Sequence, residues 1–517
     1  MAGDPMIKIA ENKIKPKATG ENLRLFSAPN ITVSLDLGHM ESVAVAMERL
    51  AALVRGGAFA TLAKAFESAG FEFSLVGGSV RDAFLGRELT DIDCTTNATP
   101  DEILRVVSPI ARTTWDMGRD FGTIGALVDG ERIEITTYRV DAYDGKTRKP
   151  VVKFGDSLDV DLERRDFTIN SMALRLPEQI LVDPKNGFAD LISGVIDTPG
   201  TPQESFSDDP LRMLRAARFA AQLGFEVKER VRNAMSEMAD TISIVSAERI
   251  REELVKLLAA NDPVPGIRLL VETGLAERFL PELPQLVREH DEHGRHKDVY
   301  EHSLKVLTNY ISLEKERNPG SEPDVIGRIA ALLHDIGKPQ TRQFDNNSKL
   351  VTFYGHDTVG ARLAKKRLQA LRFDKETVDR VSNLIRLHLR FFGYAGGAWA
   401  DAAVRRYVRD AGEELERLHL LVRSDVTTRN EKKQKTMASA YDDIETRIAE
   451  IREREEIDAI RPDLDGERIM QILGLKPGRG VGEARAFLLE LRLEEGPLGE
   501  AEAERRLRDW ASGRELV

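Results

Sequence analysis

The chain has 517 residues, of which 31% are charged and 41% hydrophobic, and its formal net charge is −11 at pH 7. That length predicts three or four domains, and the acidic balance excludes a protein that binds nucleic acid over its whole surface. The single cysteine, Cys94, excludes an intrachain disulfide and a zinc site built from cysteines. No apolar run reaches the roughly 18 residues of a membrane span, and no signal-peptide pattern opens the chain, so we expect a cytoplasmic protein.

The first predicted elements lead to a pair of glycines. Residues 1–35 are predicted to be a flexible tail, and residues 36–70 carry the apolar period of one helix. An apolar strand, Phe73 to Val76, then runs into Gly77 and Gly78. Because glycine has no Cβ, backbone N–H groups at such a turn can close on phosphate oxygens. The pair is therefore a candidate triphosphate cradle, although a glycine pair by itself usually marks only a turn.

Three carboxylates follow the glycine pair. Asp91 and Asp93 are two residues apart on a predicted strand, so their side chains point to one face and can hold divalent metal ions. Glu134, on the predicted strand 132–140, either brings a third carboxylate to these ions or faces solvent. Residues 141–156 are predicted to be a polar loop. A triphosphate cradle beside paired aspartates is what two-metal nucleotidyl transfer requires.

The segment RRDFTIN (164–170) supplies the next polar groups. Arg165 suits phosphate oxygens, and Asp166 and Asn170 can read ribose hydroxyls. In isolation the segment is an ordinary helix start with Asp166 as its cap, so its position after the first motif carries the functional interpretation.

A second arginine-rich segment is DDPLRMLRAARFAAQLGF (208–225). Asp209, Arg212 and Arg215 are spaced by three, which predicts that they lie along one helical face. The alternative is a solvated charged stripe, but the apolar residues between them predict that the helix packs inward on its other side. An aspartate and an arginine on a rigid helix offer acceptors and donors that suit the edges of cytosine and adenine.

In this order the motifs resemble the polymerase-beta-type nucleotidyltransferase superfamily, and more narrowly the bacterial class II CCA-adding enzymes and poly(A) polymerases. The resemblance implies untemplated addition of nucleotides to a tRNA 3′ end from CTP and ATP, with two Mg²⁺ ions at Asp91 and Asp93. It implies nucleotide-binding roles for Gly77, Gly78, Arg81, Asp82, Arg165, Asp166, Asn170, Asp209, Arg212, Arg215 and Arg218. Among these, Asp209 and Arg212 would read the base, and Asp82 would orient Arg81 or cap its helix.

Three products fit this resemblance: complete CCA, only part of CCA, or poly(A). The segment GRDFGTIGALVDG (118–130) resembles the CCA-adding pattern rather than that of the poly(A) polymerases. Enzymes restricted to CC addition tend to lack a flexible loop, which is present here around DGKTRKP (144–150). We therefore expect complete CCA addition, with poly(A) polymerase as the alternative.

Farther along, VYEHSLKVL (299–307) and ALLHDIGKP (331–339) resemble the HD phosphohydrolase superfamily. The resemblance implies a metal site at His302, His334, Asp335 and Asp425, a second metal at His356 and His388, and a phosphate beside Lys338. Imidazole and carboxylate ligands suit Mn²⁺, Fe, Ni²⁺, Zn²⁺ or Mg²⁺. The implied chemistry is phosphatase or cyclic-phosphodiesterase activity, and a purely structural HD domain is the alternative. The cluster HDEHGRH (290–296) is predicted to be an exposed linker.

Together the motifs predict a multidomain α+β protein, and the combination resembles actinobacterial CCA-adding enzymes. The predicted parts are the tail 1–35, a nucleotidyltransferase head 36–182 with a mixed sheet, an all-α neck 183–290, an all-α HD domain 291–430 and a helical tail 431–517. In that last part, Lys476 and Arg479 are candidates for contacting tRNA phosphates. We expect no membrane association and no obligate protein partner.

Two functions of other classes are kept as alternatives. In the first, the HD domain is the working enzyme and the head is a nucleotide sensor that regulates it. In the second, the chain is a catalytically silent RNA-binding protein, which the intact set of polar motif residues argues against.

Overall fold

The structure is a computed structural model that describes residues 37–87, 92–142, 151–288, 299–346, 350–391, 394, 399–427, 430–455, 461–512 and 514. The chain divides into two compact units, one ending at Val245 and the other beginning at Ser246. This division falls within the segment 183–290 that is predicted to be a helical neck. Among the described residues, no helix combines the length and the apolar character that crossing a membrane requires.

The first unit is built around a mixed sheet. Its strands are β1 (Phe73–Val76), β2 (Ile92–Thr96), β3 (Thr113–Trp115), β4 (Thr123–Val128), β5 (Glu131–Thr137), β6 (Arg139–Ala142), β7 (Val151–Phe154), β8 (Ala173–Leu176), β9 (Ile180–Val182), β10 (Val195–Ile196) and β11 (Glu226–Val227). Seven of them form one sheet in the order β3-β4-β5-β2-β1-β8-β9. Only β2 and β5 pair in parallel there, and all four side chains of β1 are buried.

The helices of this unit pack against the sheet and continue beyond it. They are α1 (Leu37–Val54), α2 (Gly57–Ser68), α3 (Gly78–Phe84), α4 (Pro100–Val107), α5 (Leu158–Glu163), α6 (Gly187–Ser193), α7 (Pro202–Asp208), α8 (Leu211–Leu223) and α9 (Glu229–Glu237). The prediction of one helix over residues 36–70 is wrong, because α1 and α2 are separate. Gly57 has a φ of +58° at the break, a conformation that glycine adopts without the clash of a Cβ.

The predicted strand 132–140 is also interrupted. β5 ends at Thr137, and β6 leaves the large sheet to pair with β7 in an antiparallel hairpin. Between them, the Tyr138 hydroxyl donates a hydrogen bond to Glu72 across 2.9 Å and its ring is buried. The predicted loop 141–156 is therefore wrong at both ends, which are strands, and residues 143–150 lie outside the described part of the chain.

The second unit is almost entirely helical. Its helices are α10 (Ala247–Leu258), α11 (Val264–Glu272), α12 (Ala276–Phe279), α13 (Glu282–Gln285), α14 (Val299–Arg317), α15 (Val325–Leu333), α16 (Lys338–Thr341), α17 (His356–Ala370), α18 (Lys375–Leu387), α19 (Asp401–Ala411), α20 (Leu415–Ser424), α21 (Glu431–Glu455), α22 (Gly466–Leu473), α23 (Arg479–Glu495) and α24 (Glu500–Ala511). A short hairpin, β12 (Gln343–Asp345) and β13 (Leu350–Thr352), is its β-structure among the described residues. The predicted fold class, a mixed-sheet head followed by all-α parts, is confirmed.

The last three helices have a hydrophobic core of their own. Ile469, Leu488 and Leu507 are buried in it, and the rings of Phe487 and Trp510 stack with centroids 5.0 Å apart. The buried Arg405 of α19 joins this group to the rest of the unit, since its Nη1 donates to the Leu493 carbonyl across 3.0 Å. The C-terminal helices are thus held in place by α19.

Candidate active site and metal centre

The glycine turn sits between a buried strand and a helix. β1 ends at Val76, Gly77 adopts φ +69° and ψ −126°, and α3 begins at Gly78. A Cβ on Gly77 would lie 2.8 Å from Nη1 of Arg165, whereas a Cβ on Gly78 would lie no closer than 3.6 Å to any atom. Glycine is therefore favoured at position 77 by its positive φ, and any side chain there would displace the guanidinium of Arg165.

Two of the three predicted metal-binding carboxylates lie side by side. Asp93 of β2 and Glu134 of β5 are directly paired in the parallel register, and both residues are exposed while their strand neighbours Ile92, Cys94 and Ile133 are buried. Paired residues on adjacent strands point to the same face of a sheet. The backbone N–H of Asp93 donates to Ser79 Oγ across 3.2 Å, which joins this face to the start of α3. Asp91 lies outside the described residues.

The neighbouring Cys94 points the other way, into the core. Burial, reinforced by the charge of Asp93, raises the pKa of its thiol well above the usual value. The thiol is therefore protonated and serves as a packing group.

Arg81 is held in a fixed orientation beside the glycine turn. Its Nε and Nη2 donate to the two carboxylate oxygens of Asp82 across 2.9 and 2.7 Å, and its Nη1 donates to Asn170 Oδ1 across 2.7 Å. Of the two predicted roles of Asp82, the contacts favour orienting Arg81. The pairing places a largely buried guanidinium next to the candidate cradle.

Asp166 ties the RRDFTIN segment to α8. One of its carboxylate oxygens accepts from Phe167 N and Asn170 Nδ2, and the other accepts from Nε and Nη2 of Arg215 across 2.8 and 2.6 Å. Although burial alone would raise the pKa of Asp166, Arg215 and Asn170 lower it far below the usual range. The carboxylate is therefore ionised, and a direct contact with a ribose would have to replace one of these four hydrogen bonds.

The predicted alignment of Asp209 with Arg212 and Arg215 on one helix is wrong. α7 ends at Asp208 and α8 begins at Leu211, so Asp209 lies between two helices with φ −148° and ψ 102°. Pro210 explains the break, because a residue that precedes proline is disfavoured in the helical conformation. The Asp209 carboxylate instead accepts a hydrogen bond from the N–H of Leu211.

The arginines of α8 remain on one side of the helix, as predicted. Arg212, Arg215 and Arg218 are each half-buried, while the residues between them are buried. The guanidinium of Arg212 donates to Ser205 Oγ across 2.9 Å and to the Arg164 carbonyl across 2.7 Å. It therefore fastens α7 and the RRDFTIN segment to α8.

All six residues of the predicted HD set come together in the second unit. Their side-chain ligand atoms form two groups, one of His302, His334 and Asp425 and one of Asp335, His356 and His388, with the atoms of each group within 4.8 Å of one another. His302 Nε2 lies 3.0 Å from Asp425, and Asp335 lies 3.2 Å from His334 Nε2 and 3.3 Å from His356 Nε2. The predicted cluster at 290–296 lies outside the described residues.

The histidines are oriented as metal ligands. Nδ1 of His334, His356 and His388 donates to the carbonyl three residues earlier across 2.9, 2.7 and 2.6 Å, and Nδ1 of His302 lies 3.0 Å from Thr427 Oγ1. This turns each Nε2 toward the other ligand atoms of its group, which is the usual arrangement at metal centres. His388 Nε2 is buried and has no hydrogen-bond partner among the described residues. The donor set therefore fits one or two divalent cations.

The charges around this centre are strongly coupled. Burial would lower the pKa of His334, but Asp335 and Asp425 outweigh it and raise that pKa to about 9. Burial, aided by the charge of His334, lowers the pKa of His388 to about 4. Lys338 Nζ lies 2.8 Å from Asp335, at the place predicted for a phosphate-binding lysine.

Three known domains match successive parts of the chain. They are the Poly A polymerase head domain over residues 73–197, the probable RNA and SrmB-binding site of polymerase A over 224–286, and the HD domain over 299–430. The CC-adding tRNA nucleotidyltransferase of Thermus thermophilus is 32% identical over 85% of this chain and 94% of its own length. The chain belongs to the tRNA nucleotidyltransferase family.

Other members of the family match to different extents. The A-adding tRNA nucleotidyltransferase of Deinococcus radiodurans is 32% identical over 81% of this chain and 91% of its own length. The CCA-adding enzyme of Lactobacillus helveticus is 41% identical, but the match spans only 52% of that protein, about half its length. The Bacillus stearothermophilus CCA-adding enzyme, solved with CTP, shares the fold with a TM-score of 0.63 at 22% identity, covering 87% of this chain and 96% of that one. The predicted resemblance is thus confirmed at the level of the family.

One further residue, Asp161, holds the arginine pair of the candidate site and is not predicted from the sequence. Asp161 is buried at the end of α5 and pairs with Arg164 and Arg165 across 3.2 and 3.1 Å. Burial would raise its pKa, but Arg165 and Arg164 outweigh burial and lower it. Asp161 precedes Arg164 and Arg165 by three and four residues, and on a helix that spacing predicts contacts between the side chains.

Proposed function

We propose that this chain adds the CCA end to tRNA from CTP and ATP with release of pyrophosphate. The observation that carries the proposal is the pairing of Asp93 with Glu134 on the open face of the sheet, next to the start of α3. Mg²⁺ held there by Asp93 and Glu134, together with Asp91, would lower the pKa of the tRNA 3′-hydroxyl and stabilise the charge of the leaving pyrophosphate.

The chain's own residues bind and orient the nucleotide. The backbone turn at Gly77 and Gly78 and the guanidinium groups of Arg81 and Arg165 would hold the triphosphate, because planar guanidinium groups match phosphate oxygens. Asp209, just before α8, and Arg212, in its first turn, would read the base, and Arg215 and Arg218 would contact phosphates or brace that pair. Since these groups are held by contacts made without a ligand, binding would need little rearrangement of side chains.

Two relatives whose sequences align over nearly their whole length, those of Thermus thermophilus and Deinococcus radiodurans, are named for adding CC or A alone. The product is therefore the feature that an experiment must decide first. Partial addition is the leading alternative, and untemplated poly(A) synthesis is the next. We propose the cytoplasm as the place of action, together with tRNA as the partner.

The test is extension of tRNA transcripts that lack the last one, two or three nucleotides, with CTP alone, ATP alone and both. Two C residues with CTP and one A after ATP is added would support complete CCA addition. Arrest at CC with both nucleotides, or addition of A only to a transcript ending in CC, would replace it with the partial activities. Long A tails on any RNA would make the chain a poly(A) polymerase.

The metal-binding role of Asp93 and Glu134 can be tested in the same assay with a matched control variant. Asp93→Asn and Glu134→Gln should each lower the extension rate about a hundredfold or more, because changing even an outer partner of a metal ligand costs about 10–100-fold. Glu131→Gln changes an exposed glutamate at the start of the same strand and should leave the rate within about twofold, since surface changes are usually near neutral. Equal losses in Glu131→Gln and Glu134→Gln would argue against a metal role for Glu134.

A second function is favoured by the two His/Asp groups of the second unit. We propose that they bind divalent cations, which would activate a water molecule for hydrolysis of a phosphoester. Metal content of the purified protein, and hydrolysis of 2′,3′-cyclic nucleotides and phosphomonoesters in Mn²⁺, Ni²⁺ and Mg²⁺, would test it. Metal bound without hydrolysis would leave a structural metal centre, and hydrolysis without tRNA extension would favour the head as a nucleotide sensor.

A further inference from the structure

Phe219 lies in the middle of the arginines that the candidate nucleotide site brings together. The ring belongs to α8 and is 4% exposed. The guanidinium carbons of Arg218, Arg81 and Arg215 lie 4.1, 5.0 and 5.6 Å from its centroid. These three arginines come from two elements, since Arg81 belongs to α3 and the other two belong to α8.

A polar chain joins two of these arginines, Arg215 and Arg81, around the ring. Arg215 donates to Asp166, Asp166 accepts from Asn170, and Asn170 accepts from Arg81. Phe167, which follows Asp166, meets Phe219 edge to face with ring centroids 5.7 Å apart and planes at 88°. The ring and the polar chain therefore connect the residue proposed to hold the triphosphate with the helix proposed to read the base.

The ring has a physical task at this place. Three guanidinium groups of like charge repel one another, and the ion pairs of Arg81 with Asp82 and of Arg215 with Asp166 offset only part of that repulsion. The face of an aromatic ring carries negative potential, so it attracts each guanidinium within about 6 Å without replacing the hydrogen bonds that the guanidinium makes. An aliphatic residue would fill similar space without this attraction.

We propose that Phe219 is a positioning residue for nucleotide binding, one that fixes Arg81, Arg215 and Arg218 as a single phosphate-binding unit. This inference rests on the proposed nucleotidyl transfer. Loss of the ring would let the arginines spread apart, so that bound CTP and ATP lose phosphate contacts while the metal-binding carboxylates stay in place.

The test compares Phe219→Leu, Phe219→Tyr and Phe66→Leu in the full-length protein. Phe66 is a matched control, because it is also buried in the same unit and stacks on Phe73, and no arginine of the described residues lies over its ring. The dissociation constants of CTP and of inorganic tripolyphosphate would be measured by calorimetry with Mg²⁺, and kcat and KM for CTP on a tRNA lacking CCA. Thermal unfolding would report the loss of packing in each variant.

We expect Phe219→Leu to weaken binding of both probes about tenfold and to raise KM for CTP in parallel, with kcat within about threefold. Phe219→Tyr should bind more tightly than Phe219→Leu, because it keeps the ring. Phe66→Leu should lower the unfolding temperature and leave both dissociation constants unchanged.

Two results would overturn the inference. Unchanged dissociation constants in Phe219→Leu, with a loss of thermal stability like that of Phe66→Leu, would make Phe219 an ordinary core residue. A fall in kcat alone would place its effect on the chemical step. If the unaltered protein neither binds CTP nor extends tRNA, the proposed function itself fails, and the inference with it.

Discussion

At the scale of single residues, Gly77 offers a test that separates strain from lost contact. An alanine there would take a positive φ and meet Arg165, whereas Gly70 has a φ of +78° with nothing within 4 Å of an added Cβ. We expect Gly77→Ala and Gly70→Ala each to cost about 1–2 kcal/mol of unfolding free energy, the cost of a left-handed backbone. Only Gly77→Ala should lower kcat/KM for CTP, by about tenfold or more, because Arg165 is displaced.

The two measurements are unfolding by denaturant and steady-state extension of tRNA. Equal activities of the two alanine variants would show that the approach of Arg165 to Gly77 does not matter for catalysis. A loss of stability in Gly77→Ala alone would contradict the account of the positive φ at position 70.

Glu445 is a residue whose protonation should affect the stability of the second unit. Burial would raise its pKa, but hydrogen bonds from His419 and Arg317 and the charge of Arg423 lower that pKa to about 2. Because the pKa in the folded state lies below the unfolded value, the stabilisation is present above about pH 4.5 and is lost as the pH falls toward 2. Glu445→Gln should therefore cost about 1 kcal/mol at pH 7, a figure reduced for solvent screening, and less at pH 3.5.

Denaturant unfolding of the unaltered protein and Glu445→Gln between pH 3.5 and 7 would measure this. Glu416→Gln is the control, since Glu416 is exposed and lies 3.8 Å from the same Arg317. A difference between the unaltered protein and Glu445→Gln that stays constant over this pH range would refute the assigned pKa.

At the scale of elements, the N-terminal end of α23 is the proposed contact with tRNA phosphates. Lys476 and Arg479 are both exposed there, and Arg479 is 88% exposed although it pairs with Glu483. Replacing both residues by alanine should raise KM for tRNA several-fold and leave KM for CTP unchanged. Fewer counterions would be released from the tRNA, so the plot of the logarithm of the binding constant against the logarithm of the salt concentration should become less steep, by about 1–2 in slope.

Binding of a tRNA transcript at several salt concentrations checks this prediction. Arg505→Ala with Arg508→Ala is a matched control, because it removes two exposed, carboxylate-paired arginines from α24 of the same C-terminal group. Equal effects of the two double variants would assign the loss to net charge rather than to this helix end.

The helices and strands also show which features of the structure can be predicted from the sequence. The glycine turn and the arginine side of α8 follow from local patterns, whereas the His/Asp positions follow from the resemblance to the HD superfamily, and all of them appear where they are expected. The breaks in helices and strands at Gly57, Tyr138 and Pro210 are not predicted, because the regular spacing of apolar or charged residues continues across each of them. The partners of Asp161 and Glu445 depend on tertiary packing, which no local spacing encodes beyond the i+3 and i+4 pairs of Asp161.

At the scale of the whole molecule, the two candidate metal sites lie in different compact units. Asp93 and Glu134 are exposed carboxylates that suit Mg²⁺, whereas the second unit offers four imidazoles that suit softer ions such as Mn²⁺ or Ni²⁺. The sites should therefore be separable by mutation. Asp93→Asn should abolish tRNA extension and retain the metal proposed for the second unit. His356→Ala with His388→Ala should lose that metal and retain extension with Mg²⁺ within about threefold.

Metal analysis after dialysis, and extension assays in Mg²⁺, would be made on both variants and on the unaltered protein. Retained extension in the histidine variant, together with lost metal, would show that the second unit holds its cation for a purpose other than nucleotidyl transfer. Loss of extension in that variant, with its unfolding temperature unchanged, would instead show that the metal of the second unit supports the head. Because the ligands of each site come from within one unit, the first outcome is the one that the structure favours.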